Sequence, residues 1–261
     1  MRYVRLYLYF LQFSLAKFAA FRFDFFARIV MDTLFYATNL GIFQIIFLHA
    51  ENLGGWNKNQ VMFFMSIYFV VDSLGMITTA SSMWNFPKEI NKGGFDYYLL
   101  RPVSTVFFAC FRDINLASVV NFAMALGLLV WSFGNLDIAL TWDVFLKIIL
   151  AVGFGYYFHW MMHLLVIMPV FWTHSVDGVR SVFFNLLILG ERPDGIFRGV
   201  LRKLMISVLP FSLIASVPTR LVLETQWYLH FFHLALVGAG FAVVATILWT
   251  RGLRAYSSAS S

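Results

Sequence analysis

Residues 89–104 read EINKGGFDYYLLRPVS, from Glu89 to Ser104. The segment mixes charges, a glycine pair and aromatic residues, and it stands between two long apolar runs, 61–83 and 105–133. A membrane span does not tolerate this charge density, and a plain solvated connector has no need of Phe-Asp-Tyr-Tyr-Leu-Leu. The segment therefore reads as a short structured element outside the bilayer, joining two spans. Pro87 and Pro102 bracket a short helix. Gly93-Gly94 permit a tight reversal. Phe95, Tyr98 and Leu99 recur at helical spacing and make one small apolar face, which gives the element the look of a docking knob.

Composition agrees with spans on either side. The 261 residues are 61% hydrophobic and 12% charged, about half the charged share of a soluble domain. The net charge of +6 sits at the edges of apolar runs, where basic residues mark the cytoplasmic side of a membrane, so nucleic acid is not an expected partner. The single cysteine, Cys110, excludes an internal disulfide framework. The start, Met1 to Arg5, precedes an apolar stretch but leads into Lys17, Arg22, Asp24 and Arg28 with no clear cleavage site, so it reads as retained.

Residues 1–28 combine aromatic and basic residues. At 100° per residue, Arg2, Arg5, Gln12, Lys17, Asp24 and Arg28 share about half the helix circumference, with Arg22 off that face. This suits an amphipathic helix lying in the membrane interface. Apolar spans follow at 29–48, 61–83, 105–133, 144–171 and 228–250. The 49–60 and 134–143 loops are poor in basic residues, whereas 84–104 carries Lys88, Lys92 and Arg101 and the tail carries Arg251 and Arg254. That asymmetry predicts cytoplasmic termini and a cytoplasmic 84–104 segment.

Residues 172–227 admit two readings. In one, 173–203 is cytoplasmic and 204–223 is the fifth span, as the basic residues favour. In the other, 172–190 is the fifth span and 194–224 is an outer element that dips into the membrane and returns, as prolines at membrane depth favour. Both give six crossings. No repeat or long linker divides the chain, so it is expected to form a single domain, 1–261, an all-α integral membrane protein.

No phosphate-cradling loop, Ser/His/Asp set or zinc-type cysteine cluster is present, and neither metal nor cofactor is expected. His159 and His163 stand at i, i+4, and His230 and His233 at i, i+3. Each pair can serve as metal or haem ligands or as interhelical hydrogen-bonding groups. Asp72 lies deep in the second span, where a charge costs about 2.5–3.5 kcal/mol on insertion scales. It is the candidate path-lining residue. Arg112-Asp113 reads as a self-contained interfacial pair.

Ile90, Gly93-Gly94, Phe95-Asp96 and Leu99-Leu100-Arg101-Pro102-Val103-Ser104 resemble the I-x-x-G-x-[LF]-D-x-x-L-L-R-P-[VI]-S loop of ABC-2 type permease subunits. The basic N-terminal helix, six spans and a Gly252-Leu253-Arg254-x-Tyr256-x-Ser258 ending extend the resemblance along most of the chain. It implies that 84–101 is a cytoplasmic coupling helix docking on a separate soluble ABC ATPase, which binds the ATP. Glu89, Ile90, Lys92, Gly93, Gly94, Phe95, Asp96, Leu99 and Arg101 would form the coupling site, with Phe95 the buried anchor. It further implies an exporter of the inner membrane, two permease subunits, identical or paralogous, and the re-entrant version of 194–224. A secondary transporter, which needs its own coupling-ion site, a haem or redox protein built on the histidines, and a structural membrane subunit are the rivals. The sequence does not name a substrate.

Overall fold

The computed structural model describes residues 2–20, 22–173, 175 and 177–257. The side chains of Arg2, Lys17, Arg22, Asp24, Arg28, Asp177 and Arg180, and residues His174 and Ser258, lie outside the described residues. The described chain is helical. It runs α1 (Arg2–Ala20), α2 (Arg22–Ile46), α3 (Lys58–Gly75), α4 (Ser81–Asn91), α5 (Asp96–Leu99), α6 (Thr105–Phe111), α7 (Val119–Gly134), α8 (Trp142–Ile167), α9 (Val170–Thr173), α10 (Asp177–Leu187), α11 (Gly199–Ser207), α12 (Ser216–Leu223) and α13 (Trp227–Ala255).

Five segments are long and apolar enough to cross a membrane: Ile29–Ile46, Lys58–Asn91, Leu116–Gly134, Trp142–Thr173 and Trp227–Ala255. The range 172–190, the fifth span of one sequence reading, holds among the described residues the end of α9 and the 11-residue α10.

The centre of the bundle is the helix begun by α3. Asn57 and Gln60 close it with a reciprocal capping box, each side chain bonding the other's backbone N–H at 3.0 Å. From there a run of apolar side chains, Val61 to Val71, is buried on all sides, as expected of a helix surrounded by others. It packs against α2, α7, α8 and α12. A π-helical turn, Met76–Ala80, joins it to α4 without interruption. The apolar run ends at 83, where a loop is expected to begin. The helix instead continues through Pro87 to Asn91. At about 1.5 Å per residue its 34 residues are roughly 50 Å long, well beyond a ~30 Å hydrocarbon core.

The expected 105–133 span is interrupted. Arg112, Asp113, Ile114 and Asn115 separate α6 from a 3-10 turn at Leu116–Ser118 and from α7. The broken backbone finds partners on the central helix. Asn115 N donates to Ile77 O inside the π turn at 2.8 Å, and Asp113 N donates to Ser82 Oγ at 2.7 Å. A carbonyl of the π turn, Ile77 O, thus receives the break.

The 194–224 segment folds back onto the 49–60 loop. The backbones of Gly54 and Gly195 touch, and a Cβ on either would collide with the other. Arg220 lies over the Trp56 ring at 5.6 Å, and Arg192 over Phe43 at 5.2 Å. Asp194 is buried among Arg220 (2.6 Å), Arg202 (2.9 Å) and Ser216 (2.6 Å). Burial pushes its pKa up, but Arg220, Ser216 and Arg202 outweigh this and hold it below the ordinary carboxylate value.

This packing predicts sidedness. In a chain with Cys110 replaced by Ala, single cysteines at the exposed positions Asn57 and Arg198 should react with an impermeant thiol reagent from the same side, and one at Lys92 from the other. Labelling of Arg198 and Lys92 from one side would break the correspondence.

Candidate functional site

The 89–104 segment closes one end of the bundle. Lys92 ends α4, Gly93 adopts φ +73°, and Phe95 N reaches back to Glu89 O at 3.3 Å. Gly94 lies against the Glu89 carboxylate, where a Cβ would collide with it. The two glycines thus permit a reversal tight enough for α5 to fold under α4. Glu89 takes a 3.5 Å contact from Arg112, which also lies 3.4 Å from Asp113 and over the Tyr98 ring at 5.3 Å. The Arg112–Asp113 pair is therefore not self-contained. It ties the interrupted third segment to the knob.

Phe95 does not project outward. It is fully buried, in edge-to-face contact with Phe86 (5.4 Å), Phe171 (5.7 Å) and Tyr256 (5.1 Å). Such pairs add to the large area an aromatic buries. Ile90 and Tyr98 are buried in the same cluster, which includes Trp249 of α13. Tyr256 Oη donates to Asp96 Oδ1 at 3.1 Å, and Trp249 Nε1 to Thr105 Oγ1 at 3.1 Å.

The expected apolar face of Phe95, Tyr98 and Leu99 is thus split. A four-residue helix presents side chains on all sides, and the two aromatics nearest the bundle are drawn in by Phe86, Phe171 and Trp249. The outward side chains are Lys92, Tyr97, Leu99, Leu100 and Arg101, with Tyr97 71% and Leu100 80% exposed. Tyr97 and Leu100 were not singled out by spacing. Knowing which side faces the bundle requires the position of α13, which is far away in sequence.

Helix α1 lies beside this end. Tyr3 Oη accepts from Ser104 N at 3.2 Å, and Phe10 meets Phe108 edge-on at 5.4 Å. Val4, Leu8, Tyr9 and Phe13 are exposed.

A second polar group lies within the bundle. The Asp72 carboxylate is 3.6 Å from His159 Nε2 on α8. Gly75, one turn along α3, faces that ring, and a side chain there would overlap it. His163 Nδ1 bonds His159 O at 2.9 Å. His230 contacts Glu224 at 2.7 Å, and His233 contacts Ile206 O at 2.8 Å. The four histidines thus contact protein groups, three of them on other elements, and no group of three or more metal-ligating side chains converges among the described residues.

The family described as ABC-2 family transporter protein matches residues 33–260. The chain belongs to that family. The matched range contains the knob, the central helix and the α12–α13 end, and excludes α1. Comparison with curated proteins and with solved structures finds no match. This ABC-2 family protein is therefore a membrane transport component rather than a catalyst.

The aromatic cluster predicts a stability contrast. Phe95→Ala opens a cavity at a fully buried site and should lose about 3–5 kcal/mol, whereas Leu100→Ala should lose less than about 0.5 kcal/mol, as at an exposed surface position. Denaturation of the two purified variants checks this. Equal midpoints would place Phe95 outside the core.

Proposed function

We propose that this chain is the transmembrane permease subunit of an ATP-driven ABC exporter. It forms half of a translocation path with a second permease, identical or paralogous, and couples to a separate soluble ATPase that binds ATP. Its seat is the inner membrane, with both termini and the knob in the cytoplasm, α1 in the interface and a sixth crossing over 172–190. Support for that crossing is the chain's passage from Phe171, beside Phe95, to Arg192, beside Phe43. The packing of 194–224 on the 49–60 loop favours the outer re-entrant reading over the basic residues Arg198, Arg202 and Lys203.

The observation that carries the proposal is the knob itself. Family membership supplies the permease, and the knob supplies a lever whose inner face is welded to α4, α6, α9 and α13 by the Phe95 cluster. Its outer face offers Tyr97, Leu99 and Leu100 beside Lys92 and Arg101. Aromatic and arginine side chains on such a patch are what interface centres use. Glu89, Ile90, Gly93, Gly94, Phe95 and Asp96 then act inside the lever, holding its shape. The rigid inner face lets a push from a closing ATPase reach the bundle.

Tyr97→Ala and Leu100→Asp should each weaken ATPase docking by about 2 kcal/mol or more, the hot-spot scale. Co-purification at matched expression should fall accordingly while the melting temperature of the permease stays unchanged. Normal co-purification of both variants would refute this docking face. Failure of any soluble ATPase to join the unmodified chain would refute the permease reading.

A further inference from the structure

Asp72 has neighbours that the coupling end does not use. Asp32 and Asp72 each lie about 14 residues, and Asn121 about 13, from the loop 49–60 ends of α2, α3 and α7, or roughly 20 Å at 1.5 Å per residue. The three stand at one depth on three packed helices. Asn121 donates its side-chain amide to Asp32. Tyr36 and Tyr68, one turn nearer the 49–60 loop, stand over this layer.

Tyr36 is 95% buried by its 5% exposure. Its hydroxyl is within electrostatic range of both Asp72 and Asp32 and lies beside Ser73, yet among the described residues no group meets it in hydrogen-bond geometry. Asn121 is fully buried, and its Oδ1 is likewise without a partner. Unmet buried polar atoms are rare and ask for an explanation. The ring of Tyr36 stacks on Phe69 at 4.2 Å, and Tyr68 meets Phe69 edge-on at 6.1 Å. Tyr68 Oη also reaches Glu191 Oε1 at 3.4 Å.

We infer that Asp72, Tyr36 and Asn121 form a binding site for the ammonium group of an amphipathic organic cation, with Tyr36, Phe69 and Tyr68 receiving its apolar body. The chemistry follows from the donor balance. An ionised carboxylate only accepts, the Asn121 oxygen only accepts, and the Tyr36 hydroxyl is unmet. Among the described residues, the side chain paired with the Asp72 carboxylate is the His159 imidazole at 3.6 Å, beyond hydrogen-bond length. An alkylammonium brings several N–H donors and a positive charge to this excess of acceptors. Aromatic faces attract that charge as well. A bare metal ion fits less well, because no three metal-ligating side chains converge among the described residues.

The inference rests on the reading of the chain as half of a transport path, of which it names the cargo class. Its test needs neither ATP nor a partner. The purified protein, with any ATPase that accompanies it, is placed in zwitterionic lipid nanodiscs and titrated with dansylcadaverine and with its N-acetylated, uncharged form. Empty nanodiscs give the background. The expected result is saturable binding of the amine and roughly tenfold or weaker binding of the acetylated form, the usual scale for a charged hydrogen-bonded contact. Asp72→Asn should weaken the amine by a similar factor and leave the acetylated form unchanged. Tyr36→Phe should weaken the amine a few-fold.

Equal binding of the two probes to the unmodified protein overturns the inference, whatever the variants do. So does amine binding that Asp72→Asn and Tyr36→Phe leave intact, or the absence of saturable binding. Cation binding in a chain that associates with no ATPase would overturn the permease reading and leave the site standing. ATPase association without cation binding would do the reverse.

Discussion

The structure depends on one constraint: the helix from Lys58 to Asn91 is longer than the membrane it must cross. Once a helix of 34 residues is fixed at the 49–60 end by the Asn57–Gln60 capping box, its other end must emerge beyond a ~30 Å hydrocarbon layer. The emergent part is α4. Because no loop separates α4 from the buried core, the 89–104 knob is a continuation of the bundle's central element.

The π turn at Met76–Ala80 is where this helix meets the rest of the chain. It offers Ile77 O to Asn115 N, and Thr78 Oγ1 contacts Tyr156 Oη at 2.6 Å. The interruption of the third segment, the central helix and α8 thus meet within one turn. The Asp72–His159 contact lies immediately on one side of it, and the Arg112–Glu89–Asp113 group lies toward the knob. A π turn inside an α-helix is rare and frequently found at functional sites. It stands between the polar layer in the bundle and the lever outside it, which is where a change in one would have to pass to reach the other.

The helical class, the central apolar runs and the family were legible in the residues, because apolar length and the Gly93-Gly94 to Arg101-Pro102 pattern are local properties. Three features were not. The helix runs through Pro87, which lies inside α4 and past its first turn, where a proline removes one i→i−4 hydrogen bond and reads in sequence as a helix end. The 105–133 run breaks at Arg112, because four residues with two charges and an asparagine find partners on the central helix that no window of sequence reveals. Phe95 points inward because Phe171, Trp249 and Tyr256 come from remote positions to meet it. Its spacing with Tyr98 and Leu99 identified an apolar face but not what that face covers. The same holds at Asp72: depth in a span marked it as costly, while Tyr36 and Asn121 joined it only through packing.

The rival readings divide on how the polar groups are used. A secondary transporter must bind its coupling ion within its own chain, and a redox protein must gather its histidines. Here His230 turns to Glu224, His233 to Ile206 O and His159 toward Asp72, so the two pairs do not come together as one ligand set. Asp72, the central helix's member of the polar layer, sits within the bundle, while the aromatic cluster around Phe95 gathers at the far end of the same helix. A chain that carried its own energy source would need the coupling group near the cargo group. This chain instead separates a polar layer in the bundle from an exposed apolar lever about 30 Å away along one helix, counted from Asp72 to the turn at Lys92 at about 1.5 Å per residue. That separation is what the proposed delivery of work by another protein would use.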